Sequence, residues 1–594
     1  MPKAWRFPPF DEAVVSRLSA ELKVPVLIAQ VLASRGYRSG EDAAKFLSAK
    51  LMDLHEPDLL PGVAEGADVV VQAVSDKRRI TIYGDYDVDG VTSTSILWRC
   101  LQLLGSTVDY YIPHRLEEGY GLNCDAIRQL HEEDPNRLII TVDCGITSVK
   151  EAELAKELGL DLIITDHHHL AESLPAARVL VHPRLPGSPY PFGDLCGAGV
   201  AFKLAWAICQ RMGDGKKASP RMREFLLSAM GLAAIGTVAD VVPLVGENRI
   251  IVRYGLASLA ERSSLGMKAL MKVCSIEEGK ALQSEDIGFA IAPRINAAGR
   301  LSQARLAVEL LTTDDTERAV ALADYLQQLN KDRQKLERKI LKQAKEMVAE
   351  NPDWESAPAL VLASPEWNPG VIGIVASRVA EYFERPAIMI SLSRPDEVGQ
   401  ASCRTFAGFD LHAGLTECRE HLVSYGGHKY AAGLKIDANK IDEFRIAFCD
   451  HVGATHEVTK RDREVTIDAE VRLADLTWRA VKQIDELGPF GAQNPRPKFA
   501  ASKVEVLGEP RKVGEGERHL QLRLRHYGTT LKAIAFGQAE WAEPILESGG
   551  NISICFQPSI NRYRGNESVE MLLVDWQPGA TVNGSLDAEV AAAS

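Results

Sequence analysis

The sequence predicts a multidomain α/β protein in which two α/β lobes are joined by a long helix and followed by a small β-domain. Three observations predict this. At 594 residues the chain is too long for one core and calls for roughly three to five domains. Short β-branched runs alternate with helical patterns from about 65 to 245 and again from about 355 to 455, the signature of sheets with crossover helices. After about 460 the runs become short, regularly spaced strands bounded by turn residues. The composition, 46% apolar and 25% charged, is that of a soluble globular protein. A net charge of −13 argues against a surface coated in positive charge but leaves room for a local basic channel. The ten cysteines are scattered with no CxxC pair, so neither a disulfide framework nor a zinc ribbon is expected. No apolar signal core and no run of transmembrane length is seen, so the chain reads as cytoplasmic and soluble.

Residues 1–60 read as a helical packing or docking segment, with an amphipathic helix over Val24–Tyr37 closed by Gly36 and another over Glu41–Leu47. Residues 61–285 form the first α/β domain. Its strands are predicted at the run ending in Tyr83 and at Thr107–Ile112, Arg137–Val142, Asp161–Thr165 and Arg178–His182, with helices such as Lys150–Leu158 between them. Residues 286–352 connect the lobes. Ile291–Arg300 reads as a loop of small residues with two arginines, and a helix of roughly 35 residues with acids in its first turn follows, spanning on the order of 50 Å. Residues 353–458 form a second α/β unit, with strands at Leu360–Ala363 and Ala387–Ile390 around a helix at Gly370–Phe383. Residues 459–577 suit a β-barrel of the oligonucleotide-binding kind. Arg511, Lys512, Arg523, Arg525, Lys532, Arg562 and Arg564 could line its groove or be ordinary surface residues. Residues 578–594 read as a disordered tail.

What terminates the strands of the first lobe carries the chemistry. The run Ile80-Thr-Ile-Tyr83 ends in Gly84-Asp85-Tyr86-Asp87-Val88-Asp89-Gly90, three acids at alternate positions where open α/β sheets place their ligand sites. Crowded carboxylates repel one another, and a divalent metal is one answer; a solvated acidic turn is the other. A second strand ends at Asp143 and a third at Asp166-His167-His168-His169. Together these strand ends point to a metal site. Asp240 interrupts an apolar stretch, so it should meet a cation or dense donors, or else cap a helix. In the second lobe, Gln400–Thr405 and Tyr425–Gly433 read as loops. The glycines, His428 and Lys429 of one, with Ser402 and Arg404 of the other, suit an anionic ligand better than a plain turn. Hard oxygen donors with one or two imidazoles suit magnesium or manganese, and two such ions suit phosphodiester hydrolysis.

The ordered motifs Tyr83–Gly90, Ile112–Gly121, Val142–Gly145, Asp166–His168, Gly236–Asp240, Tyr425–Gly433 and Leu487–Pro497 resemble the RecJ family of single-strand-specific DNA exonucleases, within the DHH/DHHA1 phosphoesterase superfamily. The likeness runs from about 25 to 575, with His114 standing where asparagine is common. It implies a two-lobed DHH and DHHA1 core with a C-terminal OB-like domain. It implies two Mn2+ or Mg2+ ions held by Asp87, Asp89, Asp143, His167 and Asp240, with Asp143 bridging. His168 would contact the scissile phosphate and Asp85 would support the site. Arg300, Ser402, Arg404, His428, Arg115 and Tyr120 would bind the strand. The implied activity is 5′-to-3′ release of nucleoside monophosphates from single-stranded DNA in repair and recombination. The implied setting is a nucleoid-associated monomer working with a helicase and a single-strand-binding protein. Two other readings are a phosphoesterase for short oligonucleotides or cyclic dinucleotides, and a non-catalytic nucleic-acid scaffold. The extra β-domain argues against the first and the intact acidic set against the second.

Overall fold

The computed structural model describes residues 3–115, 117–213, 218–392, 398–459, 464–563 and 566–579. Arg564, the Arg562 side chain and residues 580–594 of the expected tail lie outside what is described. Two compact units emerge: Leu51–Thr459, and Met1–Lys50 together with Lys460–Ser594.

The first sheet of the larger unit has five strands in the order Val108–Tyr111, Ile80–Tyr83, Leu138–Val142, Asp161–Thr165, Val179–Val181. All pair in parallel. Ile80–Tyr83 and Leu138–Val142 are buried throughout, as near-continuous apolar runs covered on both faces should be. Register decides the site. Tyr83 pairs with Thr141, Val142 with Thr165, and Thr165 with Val181. The residues after each strand therefore leave from one edge.

Helix Val88–Leu103 starts on the turn after the first of these strands, with Asp87 as its N-cap. It packs against Gly197–Arg211 and Pro220–Ala239, and the latter packs in turn against Gly246–Arg262. Pro220–Ala239 is long and apolar enough, by length and composition, to cross a membrane, contrary to the expectation that no run reaches transmembrane length; half of that apolar window is buried within this helical layer.

The connector departs from expectation at Ile291–Arg300. This stretch is helical, a π-helical turn at Ile287–Ile291 running into an α-helix at Ala292–Arg300. Pro293, which has no N–H, directly follows the π-helical turn, where the hydrogen-bond ladder is already displaced, and alanines carry the rest. Helix Thr316–Ala349 follows for 34 residues, capped by Asp315. Its first half, with Leu322 and Leu326 buried, packs on Leu265–Val273 and Ala292–Arg300. Its second half places Ile340, Ala344 and Val348 in one core with Leu360, Val375 and Met389 of the second lobe.

The second sheet is mixed. Its order is Ser424–Gly427, Ala431–Asp437, Val398–Arg404, Ala387–Ser391, Leu360–Ser364, and only the last pair is parallel. Gln400–Thr405 and Tyr425–Gly433, read as loops, are largely strands. The burial of Ala431–Asp437 alternates, with Ala432, Leu434 and Ile436 inward, a period-2 pattern that glycine and alanine mask in the sequence.

In the smaller unit, Ala469–Glu470, Phe499–Val506, Asn551–Tyr563, Asn566–Pro578, Thr529–Ala535, His519–His526 and Arg511–Val513 form one sheet in that order. A further pairing brings Glu505 and Val506 against Arg525 and Leu524. The N-terminal helices are part of this body: Val14, Leu18, Ile28 and Leu32 share a core with Phe499, Leu522 and Phe556. Strand Ala4–Arg6 pairs with Glu464–Thr466.

Candidate metal centre

The first strand end delivers Asp85, Asp87 and Asp89 to different neighbours. Asp87 caps its helix through the Gly90 amide at 3.1 Å. Asp89, in the first turn of that helix and buried, accepts from the amides of Gly197 (2.5 Å) and Ala198 (2.8 Å) at the start of the Gly197–Arg211 helix, where a helix N-terminus favours negative charge. Gly197 and Gly236 allow this approach: a Cβ at Gly236 would lie 2.4 Å from Asp89 Oδ1, and one at Gly197 would lie 2.6 Å from Asp143 Cβ. Asp143 takes a left-handed backbone, φ +61°, which aspartate tolerates better than most residues.

These acids form overlapping groups, each within 4.8 Å: Asp85, Asp87 and Asp143; Asp143, His167 and His168; Asp89, His167 and Asp240. Asp143 and His167 each belong to two. His167 Nε2 lies 3.2 Å from Asp143, 3.6 Å from Asp240 and 3.8 Å from Asp89. Burial, then mutual repulsion, raises the carboxyls of Asp85 and Asp143 well above the usual range. Burial also raises Asp89, although His167 opposes it. Asp240, at the end of Pro220–Ala239, is pushed up to about 8 by burial and by Asp89 and Asp87. Burial pulls the His167 ring down to about 4. Asp85 Oδ1, Asp143 Oδ1 and His167 Nε2 are buried without a hydrogen bond. Orphaned lone pairs on hard donors, in a pocket that disfavours its own charge, fit divalent cations.

Asp166 plays a different part, one that was not singled out in the sequence beyond its motif. Its carboxylate accepts from the amides of Ile146 (2.9 Å), His167 (2.7 Å) and His168 (3.1 Å), and meets His168 Nδ1 at 2.7 Å. Burial works against its charge, but the bond and charge of His168 and these amides bring it down to about 2. Burial alone would lower His168, but Asp166 and the nearby carboxylates hold it at about 9. His182, fully buried at the next strand end, was also passed over. Its Nε2 meets the His168 carbonyl at 2.8 Å and its Nδ1 accepts from the Arg184 amide at 3.0 Å, which requires the neutral Nε2–H tautomer. Tyr120 donates to the Asp143 carbonyl at 3.0 Å and lies 3.2 Å from His168 Nδ1.

Of the strand-contact candidates, Tyr120 thus lies at the acidic edge itself, and the others gather toward the second lobe. A Cβ at Gly373 would lie 3.2 Å from Arg404 Nη2 and 3.3 Å from Ser402 Oγ, so these two share one face. Arg300 donates to the Gly370 carbonyl at 3.1 Å. Burial, then the proximity of Arg115, Arg333 and Arg404, lowers its guanidinium to about 10, while Asp87 opposes the shift. Arg115 stacks over Tyr86 at 4.7 Å. The His428 ring meets His169 at 5.4 Å, so the acidic edge and the second lobe touch. The His428 amide is spent on Ala431 within the turn, so the expected backbone cradle reduces to side chains. Arg333, on the connector helix, was missed. It is held by buried Glu337 (2.8 Å) and by Asn330 (2.6 Å), and Glu337 also pairs with Arg378. Within a strongly charged helix surface its sequence carries no distinguishing signal.

Three families of domain match along the chain: the DHH family N-terminal domain over residues 79–234, the DHHA1 domain over 356–453 and the RecJ OB domain over 467–575. The single-stranded-DNA-specific exonuclease RecJ of Bacillus subtilis is 40% identical over 573 residues, 96% of this chain and 70% of that protein. The chain belongs to the RecJ family. The Escherichia coli RecJ is 33% identical across 94% of this chain and 96% of its own length. Among solved structures, Thermus thermophilus RecJ in complex with Mn2+ superposes with a TM-score of 0.81 at 32% identity, covering 98% of this chain and 80% of that one. A complex of the same protein with Mg2+ gives 0.74.

Proposed function

We propose that this chain is a metal-dependent, single-strand-specific 5′-to-3′ DNA exonuclease that releases nucleoside monophosphates during repair and recombination. The observation that supports it most is the set of overlapping acid and imidazole groups joined at Asp143 and His167, with buried ligand atoms that make no hydrogen bond, beside an arginine-rich face. RecJ family membership supplies the substrate class. In this reading Asp85, Asp87 and Asp143 would hold one Mn2+ or Mg2+ ion, and Asp89, Asp143, His167 and Asp240 would hold a second. When bound, two such ions supply positive charge for the attacking and leaving oxygens of an in-line displacement.

The chain's own groups do the rest. Asp166 keeps His168 protonated, so the ring donates a hydrogen bond to a phosphate oxygen where negative charge develops. His182 fixes the backbone that carries His168. Tyr120 ties the Asp143 backbone to the same ring. Ser402, Arg404, His428, Arg115 and Arg300 bind phosphate and set the strand's register, guanidinium groups being suited to bidentate phosphate contact. The protein acts as a monomer in the cytoplasm on nucleoid DNA, with a helicase exposing the strand and a single-strand-binding protein organising it.

The test is a 5′-labelled single strand incubated with Mn2+, beside Asp143→Ala and beside a matched duplex. Mononucleotides should accumulate from the single strand alone, and both EDTA and Asp143→Ala should abolish their release. Equal cutting of duplex, or activity surviving in Asp143→Ala, would overturn the reading.

A further inference from the structure

Two features near Asp240 have no part in the chemistry above. The first is Val241, which follows the acid directly. It is 69% exposed and takes φ +61°, a left-handed conformation that is a genuine outlier for a β-branched residue. Such strain persists only where the surroundings enforce it, and it clusters at functional sites. The second is Phe289, 84% exposed and the most exposed aromatic among the described residues. It rides on the π-helical turn Ile287–Ile291, a distortion of the helix ladder found most often at functional sites.

The two belong to one region. The π-helical turn packs on the Pro220–Ala239 helix, and a Cβ at Gly288 would lie 4.0 Å from Val238 Cγ1. The residue before Phe289 therefore touches the last turn of the helix that delivers Asp240. The same helical stretch continues to Arg300, where Gly299 abuts the Tyr86 carbonyl so closely that a Cβ would lie 2.1 Å from it. One rod thus runs from the arginine face, past the acidic edge, to an exposed aromatic ring. A ring kept in water is costly, and beside a phosphodiester site the natural occupant is the flat face of a nucleobase. Every base offers one, so stacking needs no sequence preference.

We infer that Phe289 is a ledge on which a nucleobase of the substrate strand stacks as the strand passes the site. The inference rests on the proposed single-strand exonuclease reading. A stacked base adds ground-state affinity for strands long enough to reach the ledge and leaves the chemical step alone.

The full-length chain is compared with Phe289→Ala and Phe289→Trp on a thirty-nucleotide single strand and on a 5′-phosphorylated dinucleotide, both with Mn2+. Binding of a fluorescent oligothymidylate is measured in EDTA by anisotropy. Phe289→Ala should raise KM and Kd for the long strand about tenfold or more. It should leave kcat within about twofold and dinucleotide hydrolysis unchanged, and Phe289→Trp should restore the long-strand values. Unchanged long-strand KM and Kd would overturn the ledge, and so would an equal loss on the dinucleotide, which would make Phe289 structural. If the unaltered protein fails to cut the single strand, the exonuclease reading falls by itself; the anisotropy comparison then decides the ledge. A Phe289→Ala chain that keeps its DNA affinity would leave the ring to a protein partner and overturn the inference.

Discussion

Asp85, Asp89, Asp143 and Asp240 are raised chiefly by burial, so each is stabilised in its neutral form when no cation is present. A carboxyl whose folded pKa lies above its unfolded value contributes stability that is present at low pH and lost as pH rises to the folded value. For Asp240 the window runs from about 4 to about 8. Between about pH 4 and 6.5 the lowered His167 offsets this loss, so metal-free protein in EDTA should lose stability chiefly between pH 6.5 and 8, where the raised His168 adds to the slope, whereas Mn2+ should remove most of it; denaturant melts at pH 6.5 and 8 would read this. Neutralising one acid should separate stability from activity. Asp85→Asn should raise Tm in EDTA by removing the cost of burying an ionisable acid beside Asp87, and it should cut turnover by more than about 100-fold, since even groups that only orient a metal ligand cost 10–100-fold. His182→Ala should lower kcat by roughly 10–100-fold with little change in KM, because it removes the bond to the His168 carbonyl and leaves the phosphate contacts in place. A KM-dominated loss would count against a positioning role.

At the scale of elements, the helical layer behind the acidic edge is fastened by a buried ion pair. Lys203 Nζ lies 2.6 Å from Glu247 Oε1 with both side chains almost fully buried, and Glu247 also accepts from the His55 amide at 2.9 Å. This joins the Gly197–Arg211 helix, whose N-terminus holds Asp89, to the Gly246–Arg262 helix. Glu247→Ala would strand a buried ammonium and should destabilise the protein by about 3–5 kcal/mol, measurable as a lower urea midpoint. A loss below about 1 kcal/mol would mean that the pair is dispensable. Legibility at this scale was uneven. The parallel strands Leu138–Val142 and Asp161–Thr165 were plain in the sequence because buried parallel strands are continuous β-branched runs. The hairpin carrying His428 was not, because its glycines and alanines weaken the alternation that marks a strand. Ile291–Arg300 reads as a loop in the sequence because it is a run of small residues with two arginines. In the fold its proline follows directly on the π-helical turn, and Gly299 is the residue that lets the helix lie against Tyr86.

For the whole molecule, every site residue named above lies in the unit Leu51–Thr459, which holds two sheets and the connecting helix with cores of its own. A chain limited to residues 51–459 should fold and hydrolyse a dinucleotide with Mn2+ at a rate close to that of the full chain. Its Kd for long single strands should weaken markedly once the OB domain is gone; undiminished long-strand affinity would show that the smaller unit carries no part of the binding.

The sequence alone determined the type of site. Acids and imidazoles standing directly after β-branched runs can be recognised residue by residue, because a strand and the turn that ends it are local structures. The tertiary structure decided the partnerships. That Asp143 and His167 each join two groups, that Asp166 charges His168, that His182 steadies it, and that Arg300 sits among Arg115, Arg333 and Arg404 depend on strand register and helix packing between residues far apart in the chain. No local pattern encodes those distances, since they arise only when burial of the apolar strands forces their polar ends to one edge.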